Sequence, residues 1–493
     1  MSQFLANQIR VDQARRQHTH LRGEIDLWVK KRRSKDIYQQ YHTQLNVLEG
    51  VLLGALCRIE VAINQLPLHS SSTELYSACR ILEKRVVWIR RVWDYYRKKF
   101  DQRDDPVLGS ILAAADEVVW SCYAGVFQNA TIQDKRIRQG AVPLPYIELL
   151  YSPHAIPRAE PPPDLKSDID APFLQEYLQH LPIPVVGLPA SCIHDPWWLI
   201  YLGHEIGHHV QYDLLPDWQL IEYFGDLLQR VIGSNTASRG DERITQRWVN
   251  WGREIFADLF SILCMGPWAL WTINELELAN EGRMLIAKTL YPPPITRLAL
   301  MHHVINELGL NPDIMQKVVI ALTQDSTITL NVLTLEQLDQ LPSRAAGEQA
   351  KAVAKDLMIA PKVAEAIVGF NIGVAGTLKQ LCDWSTKAFE PYQTVSNLAS
   401  ALLQLNPPHP LRNLRGARLF ASAAVAAWTS IATNPDADER SKRMAYLTVN
   451  IPPTIRDSRQ EGTRAAPGYM AEPDIEKLAD ELSRFPLPKD IEI

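Results

Sequence analysis

Residues 204–208 read His-Glu-Ile-Gly-His. Two histidines four positions apart on a helix share one face, so His204 and His208 can offer imidazole nitrogens to a single ion. Zinc suits that offer, because it is tetrahedral and accepts mixed nitrogen and oxygen ligands. Three protein ligands would leave its fourth position to a water with a pKa near 7. Glu205 is then the general base that takes the water's proton and later delivers it to a leaving amine. The pentad alone is only a moderately specific pattern, so the third ligand decides the class.

Two arrangements can supply that ligand. The first extends the pentad with a glycine three residues beyond the second histidine and a third histidine six beyond it. Gln211 and Leu214 hold those places, which excludes it. The second takes a glutamate from a later helix, followed four residues on by an aspartate. The segment from Trp248 to Met265 contains Glu254 and Asp258 on one helical face, with Trp251, Ile255, Phe256 and Leu259 as bulk to lock it. Asp213 is a competing carboxylate close to the pentad.

With His204, Glu205, His208, Glu254 and Asp258 in place, the sequence resembles the gluzincin group of zinc peptidases, to which thermolysin belongs. The stretches DPWWLIYLGHEIGHH and WGREIFADLFSILCMGP also resemble a layout recurring in uncharacterised bacterial HExxH proteins. The resemblance covers residues 183–310. It implies that Glu254 is the third ligand, and that Asp258 accepts the other ring proton of a ligand histidine, fixing its tautomer. The tyrosine and histidine that stabilise the oxyanion in the family have no identifiable counterpart. Position alone nominates Tyr291, Arg297, His302 and His303, in the segment YPPPITRLALMHH.

These residues need elements to hold them. Asp195-Pro196 reads as an N-cap followed by proline at the first helical position, opening a helix that runs through the pentad to Leu215. Gly203 and Gly207 give that helix a smooth stripe for a second backbone. A helix over about 217–231 and a Gly/Ser/Asn-rich loop from Gly233 to Gly240 follow. Asp241 can cap the next helix, which runs to Met265 and stops at Gly266-Pro267. Two runs read as strands, Tyr146–Tyr151 and Ile183–Leu188, and the second is expected to be an edge strand that pairs with an extended substrate.

The flanks are helical by periodicity. Amphipathic segments over 3–33, 36–66, 72–101 and 106–130 predict a bundle. Beyond 311 further helices are expected, with breaks near 341–347, 406–410 and 433–439. The expected architecture is therefore mainly α: a basic helical bundle (1–140), a small α+β zincin-like core (141–310) and a helical C-terminal region (311–493). The first hundred residues carry twice as many basic as acidic side chains, although the whole chain has a net charge of −5.

Apolar residues at 46% and charged residues at 22% describe a folded globular chain. No stretch reaches the roughly 18 uninterrupted apolar residues of a membrane span; the closest, Leu419 to Ala432, reads as a buried helix. The amino terminus lacks a secretory layout, and the six cysteines are scattered without a CxxC pair, so a reduced cytoplasmic setting is expected. The segment Arg80–Lys99 mixes tryptophan, tyrosine and basic residues, which could bind nucleic acid; a bundle helix with an aromatic core face explains it better. Hydrolysis of a protein or peptide in the cytosol is the expected function, the helical flanks recruiting a partner or regulator. The alternatives are a helical sensor with a catalytically silent zinc and a zinc hydrolase of a non-peptide amide.

Overall fold

The computed structural model describes residues 3–157, 183–235, 241–277, 281–310, 348–383, 389–406, 409–432, 434–459 and 472–484. The amino-terminal helices are α1 (Gln3–Arg33), α2 (His42–Asn64), α3 (Ser72–Asp101) and α4 (Pro106–Gln133). Their starts follow from local chemistry. The Ser71 hydroxyl accepts the Glu74 N–H at the head of α3, and the Asp105 carboxylate accepts the Val107 and Leu108 N–H groups at the head of α4. Pro106, lacking an N–H of its own, fits the first turn of α4. The basic end of α1 suits the helix dipole, and Arg32 there is bonded to Asp101 at 2.5 Å.

Three short strands follow: β1 (Leu144–Glu148), β2 (His154–Ile156) and β3 (Val185–Pro189). They form one mixed sheet in the order β1-β3-β2, with β1 parallel and β2 antiparallel to β3. The expectation that the run 183–188 would be an edge strand is therefore corrected, since β3 is central and both its sides are paired. Its burial explains this. Val185 packs toward one apolar core and Val186 and Leu188 toward another, so the run is apolar on both faces, as an interior strand is.

The elements that carry the site come next: α5 (Leu202–Asp213), α6 (Gln219–Ser234), α7 (Glu242–Asn250), α8 (Gly252–Met265), α9 (Ala269–Glu277) and α10 (Pro294–Glu307). Beyond them lie α11 (Glu348–Val368), α12 (Phe389–Leu403), α13 (Gly416–Ala432), α14 (Ala437–Asp457) and α15 (Glu472–Arg484). The expected break at 341–347 and the loop residues 236–240 lie outside the described residues.

Two local expectations are corrected. Asp195 makes no side-chain cap, and residues Pro196–Tyr201 form a 3₁₀ turn before α5 begins. The WW-L-I-Y run drives this, since all six residues of the turn are buried and the tighter winding points its large rings inward. The segment expected as one helix from 242 to Met265 is two, with Trp251 ending α7 and Gly252 starting α8. Trp251 and Trp248 are both fully buried, and their rings lie 5.6 Å apart at the break.

Two main apolar cores organise the molecule. One joins α1–α3, the Val185 face of the sheet and α15. The other joins α4, the Val186 face and the helices from α5 to α14. These cores do not follow the divisions expected at 140 and 310. The fourth amino-terminal helix serves the core of the HExxH helix, and the last helix returns to the amino-terminal bundle. That return uses Gly50 and Gly54 of α2, where an added Cβ would stand 2.8 Å from Ile475 and 2.9 Å from Ala479. Among the described residues, the helices long and apolar enough to cross a membrane are Pro106–Gln133 and the run Gly252–Glu277, rather than 419–432. Both are largely buried within the protein, as core helices are.

Candidate metal centre

The site is made where α5 crosses α8. Gly203 and Gly207 allow the crossing: a Cβ on Gly207 would sit 2.8 Å from the Ala257 Cα, and one on Gly203 would sit 2.8 Å from the Met265 side chain. Backbones this close bring the histidines of one helix to the carboxylates of the other. His204, Glu205, Glu254 and Asp258 are all buried, and His208 is nearly so. The expected smooth stripe is thus the seam of the site.

The separations differ between the two carboxylates. His204 Nδ1 lies 2.9 Å from Asp258 Oδ1, an ordinary hydrogen bond. His204 Nε2 and His208 Nε2 instead stand 3.4 and 3.5 Å from the two oxygens of Glu254. Ligands about 2.0–2.1 Å from a tetrahedral ion are separated from one another by about 3.3–3.4 Å. The carboxylate therefore keeps the distance of a co-ligand. His204, His208 and Glu254 form the one cluster among the described residues able to hold a metal ion, with ligand atoms within 4.8 Å of each other.

Behind this cluster, Asp258 is held in a fork by Arg297, with Nε–Oδ2 at 2.6 Å and Nη2–Oδ1 at 2.8 Å. The remaining guanidinium nitrogen, Nη1, reaches Glu277 at 3.3 Å. Arg297, nominated by position as an oxyanion donor, thus has its nitrogens engaged by carboxylates and orients the group that orients His204. Tyr291 lines the cleft beside it. His302 and His303 lie farther along α10, edge-on to each other at 6.2 Å, and neither lines the cleft. Asp213 accepts a hydrogen bond from Tyr123 at 2.7 Å and is not in the ligand cluster.

Electrostatics follow from this packing. Burial opposes the charge on His204, but the hydrogen bond to Asp258 and the Glu254 carboxylate 3.4 Å away outweigh it and push the imidazolium up to about 10. His208 has no such bond, and burial pushes it down to about 4. Burial pushes Glu205 up to about 7, where a carboxyl can both take and give a proton near neutrality. Burial also works against the Glu254 and Asp258 carboxylates, yet His208 and His204 hold the first, and Arg297 the second, below the usual range. Tyr291 is pushed up, chiefly by the charge of Glu254 and by burial, so its hydroxyl stays a neutral donor. The carboxyl groups of Glu205, Glu254, Asp258 and Glu277 gather around the Arg297 guanidinium, and Arg253 lies at the cleft wall beside His208 and Tyr291.

A cleft of about 300 Å³ opens over the centre. One side is β2 with its flanking residues, from Ser152 to Pro157; the other is α9 and the turn bearing Leu290 and Tyr291. The Ala155 backbone makes a hydrogen bond that favours the charged form of Glu205. Sequence reasoning missed β2 and Glu277. A three-residue strand between Pro153 and Pro157 has no alternation to read, and Glu277 carries no motif. In Arg80–Lys99, the rings of Trp88, Trp93, Tyr95 and Tyr96 are buried in the bundle core, and Arg90 pairs with Glu24 at 2.7 Å. No protein-family model, curated protein or solved structure matches this chain.

Proposed function

We propose that this protein is a zinc-dependent peptidase of gluzincin type with a zincin-like core, acting on a protein or peptide in the cytosol. The observation that carries the reading is the stand-off of Glu254 from both imidazoles at 3.4 and 3.5 Å, beside a true hydrogen bond from His204 to Asp258. His204, His208 and Glu254 would hold zinc, which when bound makes a water acidic and polarises the scissile carbonyl. Glu205, buried and poised near neutrality, takes the water's proton and passes it to the departing amine. Tyr291, kept protonated at the cleft wall, donates to the developing oxyanion.

Peptide is favoured over a small amide by β2. Among the described residues no strand pairs with β2 on the side away from β3, and β2 borders the cleft, so an extended chain can add there as a further strand. This role passes to β2 from the central strand β3. Comparing new protein amino termini in cells carrying the wild type or Glu205→Gln tests the reading. Cleavages present only with the wild type are expected; identical amino-terminal sets would refute it.

A further inference from the structure

Away from the metal centre, three buried cysteines from three segments converge on one arginine. Cys122 lies on α4, Cys264 near the end of α8, and Cys382 just after the turn Leu378–Leu381. Arg418 of α13 points its Nη1 at Cys264 Sγ, 3.8 Å away, and donates Nη2 to the Cys382 carbonyl at 3.0 Å. Nη1 also lies 3.4 Å from the Ser121 carbonyl, and Nε has no hydrogen-bond partner. Among the described residues no carboxylate lies within 4 Å of this guanidinium; the nearby Asp383 is bonded by Arg415 and Asn129 instead. A buried cation without a counter-ion is costly. Asp383 acts on Arg418 only from beyond 4 Å, so the Cys264 thiol is the group in contact that can supply the charge.

We propose that Cys264 is a peroxide-reactive thiolate, paired with Arg418 and resolved by Cys382 into a disulfide. Cys264 is the central sulfur, interacting with both Cys122 and Cys382 and lying 3.8 Å from the Arg418 guanidinium. Burial works against its ionisation, but these interactions outweigh it, while the other two cysteines are held as thiols. The same guanidinium disfavours a metal cation among these sulfurs. Cys264, Cys382, Asp383 and Arg418 line a cavity of about 30 Å³. That is room for about one small molecule the size of water or hydrogen peroxide, and too little for glutathione. Cys122 does not line it, which makes Cys382 the resolving partner.

The chemistry balances with peroxide as the oxidant. The Cys264 thiolate attacks one peroxide oxygen, the O–O bond breaks, and hydroxide leaves, giving a sulfenic acid. That hydroxide takes the Cys382 thiol proton and becomes water. The Cys382 sulfur then attacks the Cys264 sulfur, the S–S bond forms, and the sulfenic hydroxide departs, protonated by solvent, as a second water. Peroxide is reduced and the two cysteines are oxidised.

The test treats the native full chain with a stoichiometric amount of hydrogen peroxide, stops with catalase, denatures in an alkylating reagent and maps peptides without reduction. A Cys264–Cys382 link is expected, formed at least about tenfold faster than oxidation of the buried, isolated Cys79 and Cys192. Cys382→Ser should instead accumulate sulfenic and sulfinic acid at Cys264. Absorbance at 240 nm should report one thiolate in the native wild type at pH 7, lost in Cys264→Ser. Equal oxidation of Cys79, Cys192 and Cys264, a link to Cys122, or Cys264 surviving as a thiol would each overturn the proposal, and the wild-type map suffices if the variants do not fold.

Discussion

Gly207→Ala separates the stability of the helix crossing from its use as a metal site. The new Cβ would stand 2.8 Å from the Ala257 Cα and 3.2 Å from the Phe260 Cβ, where ordinary contact is 3.4–4 Å. Because the nearest obstacle is backbone, α8 must retreat from α5 by roughly 0.5–1 Å to reach ordinary packing. Glu254 travels with α8, so its 3.4 and 3.5 Å separations from the histidines widen toward about 4 Å. A metal site tolerates about 0.2 Å in its ligand distances. Zinc affinity should therefore fall by about 100-fold or more, comparable with losing a partner that orients a ligand. Folding should lose about 0–2.5 kcal/mol, against about 2.8 kcal/mol or more of binding free energy, because overpacking costs about 1–3 kcal/mol while alanine regains about 0.5–1 kcal/mol of helix stability. Competition with a coloured chelator reads the affinity, and urea unfolding of the metal-free protein reads the stability. Gly23→Ala is the control: it lies exposed within α1 with nothing within 4 Å of an added Cβ. It should gain about 0.5–1 kcal/mol and leave zinc binding unchanged. Wild-type zinc affinity in Gly207→Ala would refute the idea that this seam sets the ligand geometry.

Asp258→Asn should lower zinc affinity about 10–100-fold, measured by the same competition, because a neutral amide with one acceptor oxygen replaces the carboxylate that holds both His204 and Arg297. Tyr291→Phe should lower kcat about 100-fold with KM little changed in a peptide assay; an unchanged kcat would remove Tyr291 as oxyanion donor. Zinc uptake should release about two protons at pH 8, seen as calorimetric heats that vary with buffer ionisation enthalpy: one from His204, which is pushed up to about 10 in the metal-free protein and must be neutral to ligate, and one from the bound water with its pKa near 7. The same raised group stabilises the metal-free fold fully below its unfolded value of about 6.5, and that stability is lost as pH rises through about 10. Denaturant midpoints of chelated protein should accordingly fall between pH 7 and 10, and constant midpoints would contradict the assignment.

Much of the site was legible because its signals are local or periodic. His204, His208, Glu254 and Asp258 each lie where helical spacing puts them on a shared face, and Gly203 with Gly207 marks the seam. The bounds of α1 and α3 agree with their amphipathic periods, and Asp105-Pro106 marks the start of α4 by capping chemistry. What escaped depends on contacts between distant segments. The identity of β3 as a central strand requires knowing that β2 pairs with it, and β2 is too short to announce itself. The docking of α15 on α2 joins residues more than four hundred positions apart, as Arg58 donating to the Glu476 carbonyl shows. Asp195 carried a capping signal, but burial of the following tryptophans imposed a 3₁₀ turn. Arg297 was found by position, yet its task behind Asp258 is visible only once α10 is placed beside α8.

The metal content of the purified protein tests the central claim most directly. After removal of metal, exposure to a slight excess of zinc and removal of the unbound ion, the wild type and Glu205→Gln should each retain one zinc per chain, and Glu254→Ala should retain almost none. A wild type that binds no zinc, or a Glu254→Ala variant that still holds one equivalent as tightly, would contradict the centre described above.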